Sequence, residues 1–187
     1  MKKIACLFPG IGYTCDKPLL YYSWKLLRGL GWEIVPLKYS GFPAGVKGSA
    51  EKMLQCADMA LEQTEEQLRD IDWPAYGDVL FIGKSIGTVV CCAYAERHGL
   101  NCRRILFTPV EAAFRFADRR SVAFHGTADP WADTEVIKKS CERQGIPLFL
   151  TENANHSLET GDVDEDIGEM RKVMRIVRDF AAAEAEK

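Results

Sequence analysis

The feature that most restricts the fold is a series of short, almost uninterrupted apolar runs, spaced along the chain by longer stretches of helical period. The runs are Lys3 to Phe8, Glu33 to Leu37, Asp78 to Ile82, Arg104 to Thr108, Ser121 to His125 and Pro147 to Leu150. Several are rich in Ile, Val, Leu and Phe and lack the alternation of a sheet with one wet face. They read as strands covered on both sides. The stretches between them are one-sided. Lys17 to Gly29 places Leu20, Trp24, Leu27 and Leu30 on a single stripe. Ser49 to Ile71 predicts a long helix with Met53, Leu54, Ala57, Leu61 and Leu68 inward and Ser49 as N-cap. Ser85 to His98 begins small and apolar, turns polar, and ends before Gly99, a usual residue just past a helix. Asp133 to Gln144 and Asp164 to Ala183 complete the set, and the Ala/Glu/Lys tail from Ala181 is expected to fray.

Strand and helix alternating in this way argue for a three-layer α/β domain around a parallel sheet with right-handed crossovers. The 187 residues suit one such domain, and no repeat or low-complexity linker divides residues 1–187. A net charge of −3 with scattered basic residues carries no footprint for nucleic acid or an anionic membrane. The doublets Arg103-Arg104 and Arg119-Arg120 read as solvated flanks of strands. The apolar run after Met1-Lys2-Lys3 is too short for a signal-peptide core, and nothing approaches the length of a membrane span. Seven cysteines, without CxxC or paired metal-ligand spacing, and with Cys6, Cys56, Cys91 and Cys92 in core-like contexts, suit a reducing compartment. A cytoplasmic protein without a metal is expected.

Sites in open parallel sheets form beyond the carboxyl ends of the strands. The residues in those places are Pro9-Gly10-Ile11-Gly12-Tyr13, Gly83-Lys84-Ser85-Ile86-Gly87, Gly126-Thr127-Ala128-Asp129-Pro130 and Asn153-Ala154-Asn155-His156. A serine, an acid and a histidine therefore share one edge, in the chain order Ser, Asp, His. The Gly-x-Ser-x-Gly run fits a serine on a sharp strand-to-helix turn, where bulk two positions either side would block the close approach of strand and helix. By itself the run equally fits a serine N-cap on an ordinary crossover helix. A serine hydroxyl needs a base within hydrogen-bond reach to act as a nucleophile. His98 sits at a helix C-terminus and suits its dipole. His125 ends a strand and suits packing or hydrogen bonds to loop backbone. His156, in a polar loop past the last strand, is placed for the base. Asp129 is the favoured acid, which would hold the imidazole tautomer. Asp133, read as a first-turn or N-cap residue, and Glu111 are its rivals. The backbone N–H groups of Ile86 and Ile11 are the candidate oxyanion donors. Pro9-Gly10-Ile11-Gly12 lacks the third glycine of a dinucleotide fingerprint, so a nucleotide or flavin site is the weaker reading.

With these three segments in view, the sequence resembles the α/β-hydrolase superfamily over nearly its whole length. The segments are Gly83 to Gly87 as nucleophile elbow, His125 to Pro130 as acid turn, and Asn155-His156 as histidine loop. It is most similar to small, cap-free members related to the dienelactone hydrolase group, with Ser85 where those enzymes use cysteine. The resemblance implies a minimal α/β/α sandwich whose six-stranded sheet has the order 2-1-3-4-5-6, without the antiparallel edge hairpin and without a lid. Only a turn containing Phe114 and Phe116 is left to cover the site. It also implies hydrolysis of an ester or thioester of a small or exposed acyl group, with no cofactor. The expected partner is that small-molecule substrate. Tyr13, Cys15, Trp131 and the Phe114 region could shape its pocket. Lys84 reads as solvated or, alternatively, as an attractor of acidic substrate. A non-catalytic binding module on the same fold is the competing function.

Overall fold

The structure is a computed structural model and describes residues 1–46 and 48–183. Six strands, β1 (Lys3–Phe8), β2 (Glu33–Pro36), β3 (Asp78–Lys84), β4 (Arg103–Phe107), β5 (Ser121–Gly126) and β6 (Leu148–Thr151), pair in parallel in the order β2-β1-β3-β4-β5-β6. Five helices cover them: α1 (Pro18–Gly29), α2 (Ala50–Leu68), α3 (Ile86–Arg97), α4 (Thr134–Gln144) and α5 (Val163–Ala182). The chain crosses from β4 to β5 through a 3-10 turn at Glu111–Arg115, where a sixth helix would otherwise sit.

The unbroken apolar runs have a direct cause. On β3, Val79 and Phe81 pack with α2, α3 and α4, while Leu80 and Ile82 pack with α1 and α5. Alternate residues thus enter two different cores, and neither face meets water. At about 1.5–3 kcal/mol for each fully buried large aliphatic or aromatic side chain, these two cores dominate the stabilisation of the domain. α3 lies deepest. Every residue from Ile86 to Cys92 is buried, so its sequence opens apolar on all sides. Helix starts follow the expected chemistry. Ser49 accepts from the N–H of Lys52, Asp133 from those of Glu135 and Val136, and Asp162 from those of Asp164 and Glu165.

Several expectations are corrected. Leu30 lies past the last turn of α1 and is exposed. Leu54 is also exposed, because the first turns of α2 border an open groove instead of the sheet. α2 ends at Leu68, before a 3-10 turn at Trp73–Ala75. Arg103 and Arg104 are buried, not solvated: Arg103 pairs with Asp78 at 2.7 Å and Arg104 with Asp118 at 2.9 Å. Arg103 also donates to carbonyls of Phe180, Ala181 and Ala183, which ties the end of α5 to β4. α5 is accordingly intact through Ala182, with Ala181 buried, while the rest of the tail expected to fray, 184–187, lies outside the described residues. Phe114 is packed into the core with Phe116 against it, so neither forms a cover over the sheet edge. No helix among the described residues is long and apolar enough to cross a membrane.

Candidate active site

At the carboxyl end of β3 the chain turns sharply into α3, and Ser85 occupies the turn with φ 56° and ψ −122°. An L-residue rarely holds such a conformation, and it costs of order 1–3 kcal/mol. Two glycines make the turn possible. A Cβ on Gly83 would lie 2.6 Å from the carbonyl oxygen of Gly87, and one on Gly87 would lie 2.0 Å from that of Phe8. The turn is then locked from both sides: the Ser85 N–H donates to Phe107 O at 3.0 Å, and the Thr88 hydroxyl donates to Ser85 O at 2.6 Å. Although Ser85 occupies the N-cap position of α3, its side chain makes no capping bond. The hydroxyl points elsewhere.

Its partner is His156, whose Nε2 lies 2.8 Å from Ser85 Oγ. The other ring nitrogen, Nδ1, lies 2.7 Å from Asp129 Oδ2. A carboxylate only accepts, so Nδ1 carries the proton and Nε2 presents its lone pair to the serine hydroxyl. Asp129 is held in turn by the Trp131 N–H, which donates to Oδ1 at 2.8 Å. The Trp131 indole stacks on the His156 ring, with centroids 5.5 Å apart and planes 27° apart. The acid turn and the histidine loop meet where the Ala128 N–H donates to Ala154 O at 2.9 Å. A Cβ on Gly126 would lie 2.3 Å from that same oxygen. Asn155 folds the histidine loop, since its side-chain oxygen accepts from the Ser157 N–H at 2.7 Å.

The rivals have other tasks. Asp133 caps α4, and Glu111 begins the 3-10 turn with its side chain exposed. His98 pairs with Glu65 at 2.8 Å at the end of α3. His125 is fully buried, and its partner is a side chain, not the loop backbone: Nε2 lies 3.0 Å from the Thr134 hydroxyl. Its Nδ1 lies 3.7 Å from Asp129 Oδ2, so the carboxylate sits between two imidazoles.

Charge around these groups is set by burial first. Burial lowers the His156 pKa below its usual value; the hydrogen bond to Asp129 opposes this, and the Lys84 charge adds to it. Burial works against ionised Asp129, but the His156 hydrogen bond and charge together with the Trp131 N–H outweigh it and hold the carboxyl below the ordinary range. Burial also lowers His125. Lys84 is neither solvated nor available to substrate. Its side chain is 1 % exposed, leaves the sheet on the same face as Leu80 and Ile82, and places Nζ 4.8 Å from the Tyr13 ring centroid. Burial pulls its pKa down to about 7 against the attraction of Asp129 and Glu159. The strand period that exposes Ser85 at this edge turns its neighbour into the opposite core.

The loop after β1 runs beside the serine. A Cβ on Gly10 would lie 3.1 Å from Ser85 Cβ. Gly10 and Tyr13 exchange backbone hydrogen bonds of 3.0 and 3.3 Å, closing a tight turn around Ile11 and Gly12. Among the described residues, no backbone hydrogen bond outside regular elements uses the N–H of Ile11 or of Ile86, the first residue of α3. Tyr13 and Cys15 face inward: the Tyr13 hydroxyl accepts from the Leu19 N–H, and the Cys15 thiol faces the carbonyls of Leu7 and Leu37. Sequence reasoning missed the Trp131 stack and the His125–Thr134 bond. The signal for the first was an aromatic residue two positions after the acid. Among the described residues, no cluster of three or more His, Cys, Asp or Glu side chains is arranged to hold a metal ion.

No protein-family model matches the sequence, and a search of curated proteins finds no match. Solved structures do match. One is an α/β serine hydrolase without a lid from Xanthomonas campestris, 18 % identical, with a TM-score of 0.62 over 97 % of this chain and 84 % of that one. Another is an α/β serine hydrolase homologue from Coxiella burnetii, 15 % identical, with a TM-score of 0.65 over 95 % and 84 %. A third is Est1E from Butyrivibrio proteoclasticus, 11 % identical, with a TM-score of 0.67 over 97 % and 89 %; it has also been solved with ferulic acid bound. The chain has the α/β-hydrolase fold. In this version of the α/β-hydrolase fold, residues 108–120 between β4 and β5 form no separate lid, and the edge that carries Ser85 is bordered by short loops.

Proposed function

We propose that the protein is a serine hydrolase that cleaves a carboxylic ester or thioester of a small or exposed acyl group through an acyl-enzyme. The observation that carries this reading is the unbroken hydrogen-bond chain from Asp129 through His156 to Ser85, with Ser85 held in a strained turn instead of capping α3. In this reading Ser85 Oγ attacks the substrate carbonyl carbon while His156 Nε2 takes its proton. Asp129 stabilises the imidazolium through Nδ1 and stays ionised. The carbonyl oxygen becomes an oxyanion and accepts from the N–H groups of Ile11 and Ile86. Collapse expels the alcohol or thiol, which takes the proton back from His156. Water then repeats the cycle on the acyl-serine and frees the acid. The ferulic acid bound by the structural neighbour Est1E is a carboxylic acid, the product class that such a reaction leaves. The seven buried, unpaired thiols suit a reducing compartment, and the reading places the enzyme in the cytoplasm with no cofactor.

The test pairs labelling with turnover. A fluorophosphonate is expected to modify the wild-type chain at Ser85 and to leave S85A unlabelled. Wild type is expected to hydrolyse short p-nitrophenyl esters, with S85A and H156A at least about a thousandfold slower. A folded wild-type chain that neither labels nor turns over these esters would make the site a binding module and overturn the proposal.

A further inference from the structure

Beside the candidate site, a groove of about 570 Å³ opens between the first turns of α2, the 3-10 turn after β4, and α4. Two other cavities lie elsewhere, one between β6 and α5 and one against Arg104 and Asp118, and neither is lined by a residue of the site. The groove begins at the site itself. Trp131, which stacks on His156, and Val110, which packs with Ile86, form its inner wall. Met53 and Leu54 continue the apolar lining.

Its outer wall is cationic. Arg115 ends the 3-10 turn and Arg143 lies in the last turn of α4, and both line the groove. The two are held on one wall because the Gln144 side-chain amide donates to the carbonyl of Phe114. Arg143 stands nine residues along α4 from Thr134, which touches the site through His125, a rise of about 13 Å. Among the described residues, neither guanidinium has an ion pair or a hydrogen bond. Glu111 also lines this space, so the wall presents two positive charges against one negative. A guanidinium binds a carboxylate through two parallel N–H donors, and an apolar approach with a charged far end suits an apolar stem that ends in an acid.

We infer that this groove is the substrate subsite of the proposed hydrolase and that it selects esters bearing a free carboxylate at the end of an apolar stem. The inference rests on the serine-hydrolase reading and names its substrate class. The stem lies along Trp131, Val110 and Met53, and the acid reaches Arg115 and Arg143. Glu111 sets a limit, since it repels the carboxylate of a stem too short to pass it.

The experiment uses two ester series on the full chain. One consists of p-nitrophenyl monoesters of α,ω-dicarboxylic acids of about four to twelve carbons, each compared with its neutral methyl diester. The other consists of acetate esters of ω-hydroxy acids against their methyl esters, which places the acid in the leaving half. In one series kcat/KM is expected to favour the acid about tenfold at intermediate length. Because the guanidinium groups are exposed, the preference is expected to shrink in 0.5 M salt. In R115Q/R143Q the acid-to-neutral ratio is expected to fall to about one, in E111Q to rise for the shorter stems, and in R119Q, outside the groove, to stay at the wild-type value. Binding of suberate to S85A, measured by calorimetry and weakened about tenfold in S85A/R115Q/R143Q, reads the subsite without any turnover. Parity of acid and neutral esters in both series, or a preference that survives in R115Q/R143Q, overturns the inference while neutral-ester hydrolysis leaves the serine-hydrolase reading standing. Loss of labelling and of all turnover, with suberate still bound through the two arginines, overturns the catalytic reading and with it the ester selection, and leaves a carboxylate-binding groove.

Discussion

Lys84→Met is expected to stabilise the protein, most strongly at neutral and acidic pH. The ammonium is buried between β3 and the Tyr13 ring, with no carboxylate within ion-pair distance among the described residues. Burial brings its pKa from the ordinary 10.5 down to about 7. At about 1.4 kcal/mol for each tenfold change in proton affinity, this drop corresponds to about 5 kcal/mol of penalty on the charged form. Between pH 7 and 10.5 the unfolded chain holds a proton that the folded chain has released. Wild-type stability therefore climbs with pH through that window, and below pH 7 the penalty stays at full size. Methionine matches the length of the stem, fills the slot and carries no charge, so the variant lacks this term. Relaxation and water entry reduce such penalties, which leaves an expected gain of about 2–3 kcal/mol, or about 5–10 °C in Tm, at pH 6–7. The gain should fade to nothing near pH 10.5. Urea denaturation of both proteins at intervals from pH 6 to pH 10.5 reads the effect. A variant less stable than wild type at pH 6, or a gain that does not change with pH, would refute the reasoning. The same charge helps to lower His156, so its removal should move the acidic limb of the kcat/KM profile to higher pH.

Four further perturbations test other parts of the structure. Asp129→Asn offers His156 an N–H where the carboxylate accepted one, which favours the tautomer with the proton on Nε2; kcat should fall by about 10⁴ with the fold intact by circular dichroism. Gly87→Ala places a methyl 2.0 Å from the Phe8 carbonyl, in the junction of β1 and α3, and should cost more than about 4 kcal/mol in thermal unfolding. Gly12→Ala meets no atom within 4 Å and carries only the strain of φ +70°, so about 1–2 kcal/mol is expected there. Thr134→Val removes the partner of the buried His125 Nε2 and should destabilise by about 1–3 kcal/mol, read by urea denaturation.

Much of this architecture is legible in the sequence because it is local. A strand that feeds two cores is apolar at every position, as at Val79 to Ile82, and that pattern survives without knowledge of its neighbours. The edge occupied by Ser85, Asp129 and His156 follows from the same reading, since parallel strands all present their carboxyl ends on one side. What the sequence conceals depends on partners distant in the chain. Arg103 and Arg104 look like surface doublets until Asp78 and Asp118 close on them. Lys84 looks solvated because lysine usually is, and only the strand register and Tyr13 decide otherwise. Leu54 fits the helical stripe, but the stripe does not tell where the sheet beneath it ends. The groove lined by Arg115 and Arg143 is built from three separate segments and has no linear signature.

The cysteines have a use that their chemistry in the folded chain does not suggest. Cys6, Cys15, Cys56, Cys91, Cys92, Cys102 and Cys141 are all buried, and they are spread over β1, the loop before α1, α2, α3, the approach to β4, and α4. Burial also raises several of the thiols, Cys15 and Cys102 to about 12, which keeps them protonated as well as hidden. An alkylating reagent thus finds no target until an element opens, and each modified cysteine records where the opening took place. Pulsed alkylation read by mass spectrometry would time the opening of one layer against another without any engineered label. Elements that carry no cysteine, among them α1, β2, β3, β5, β6 and α5, would be read only through their neighbours.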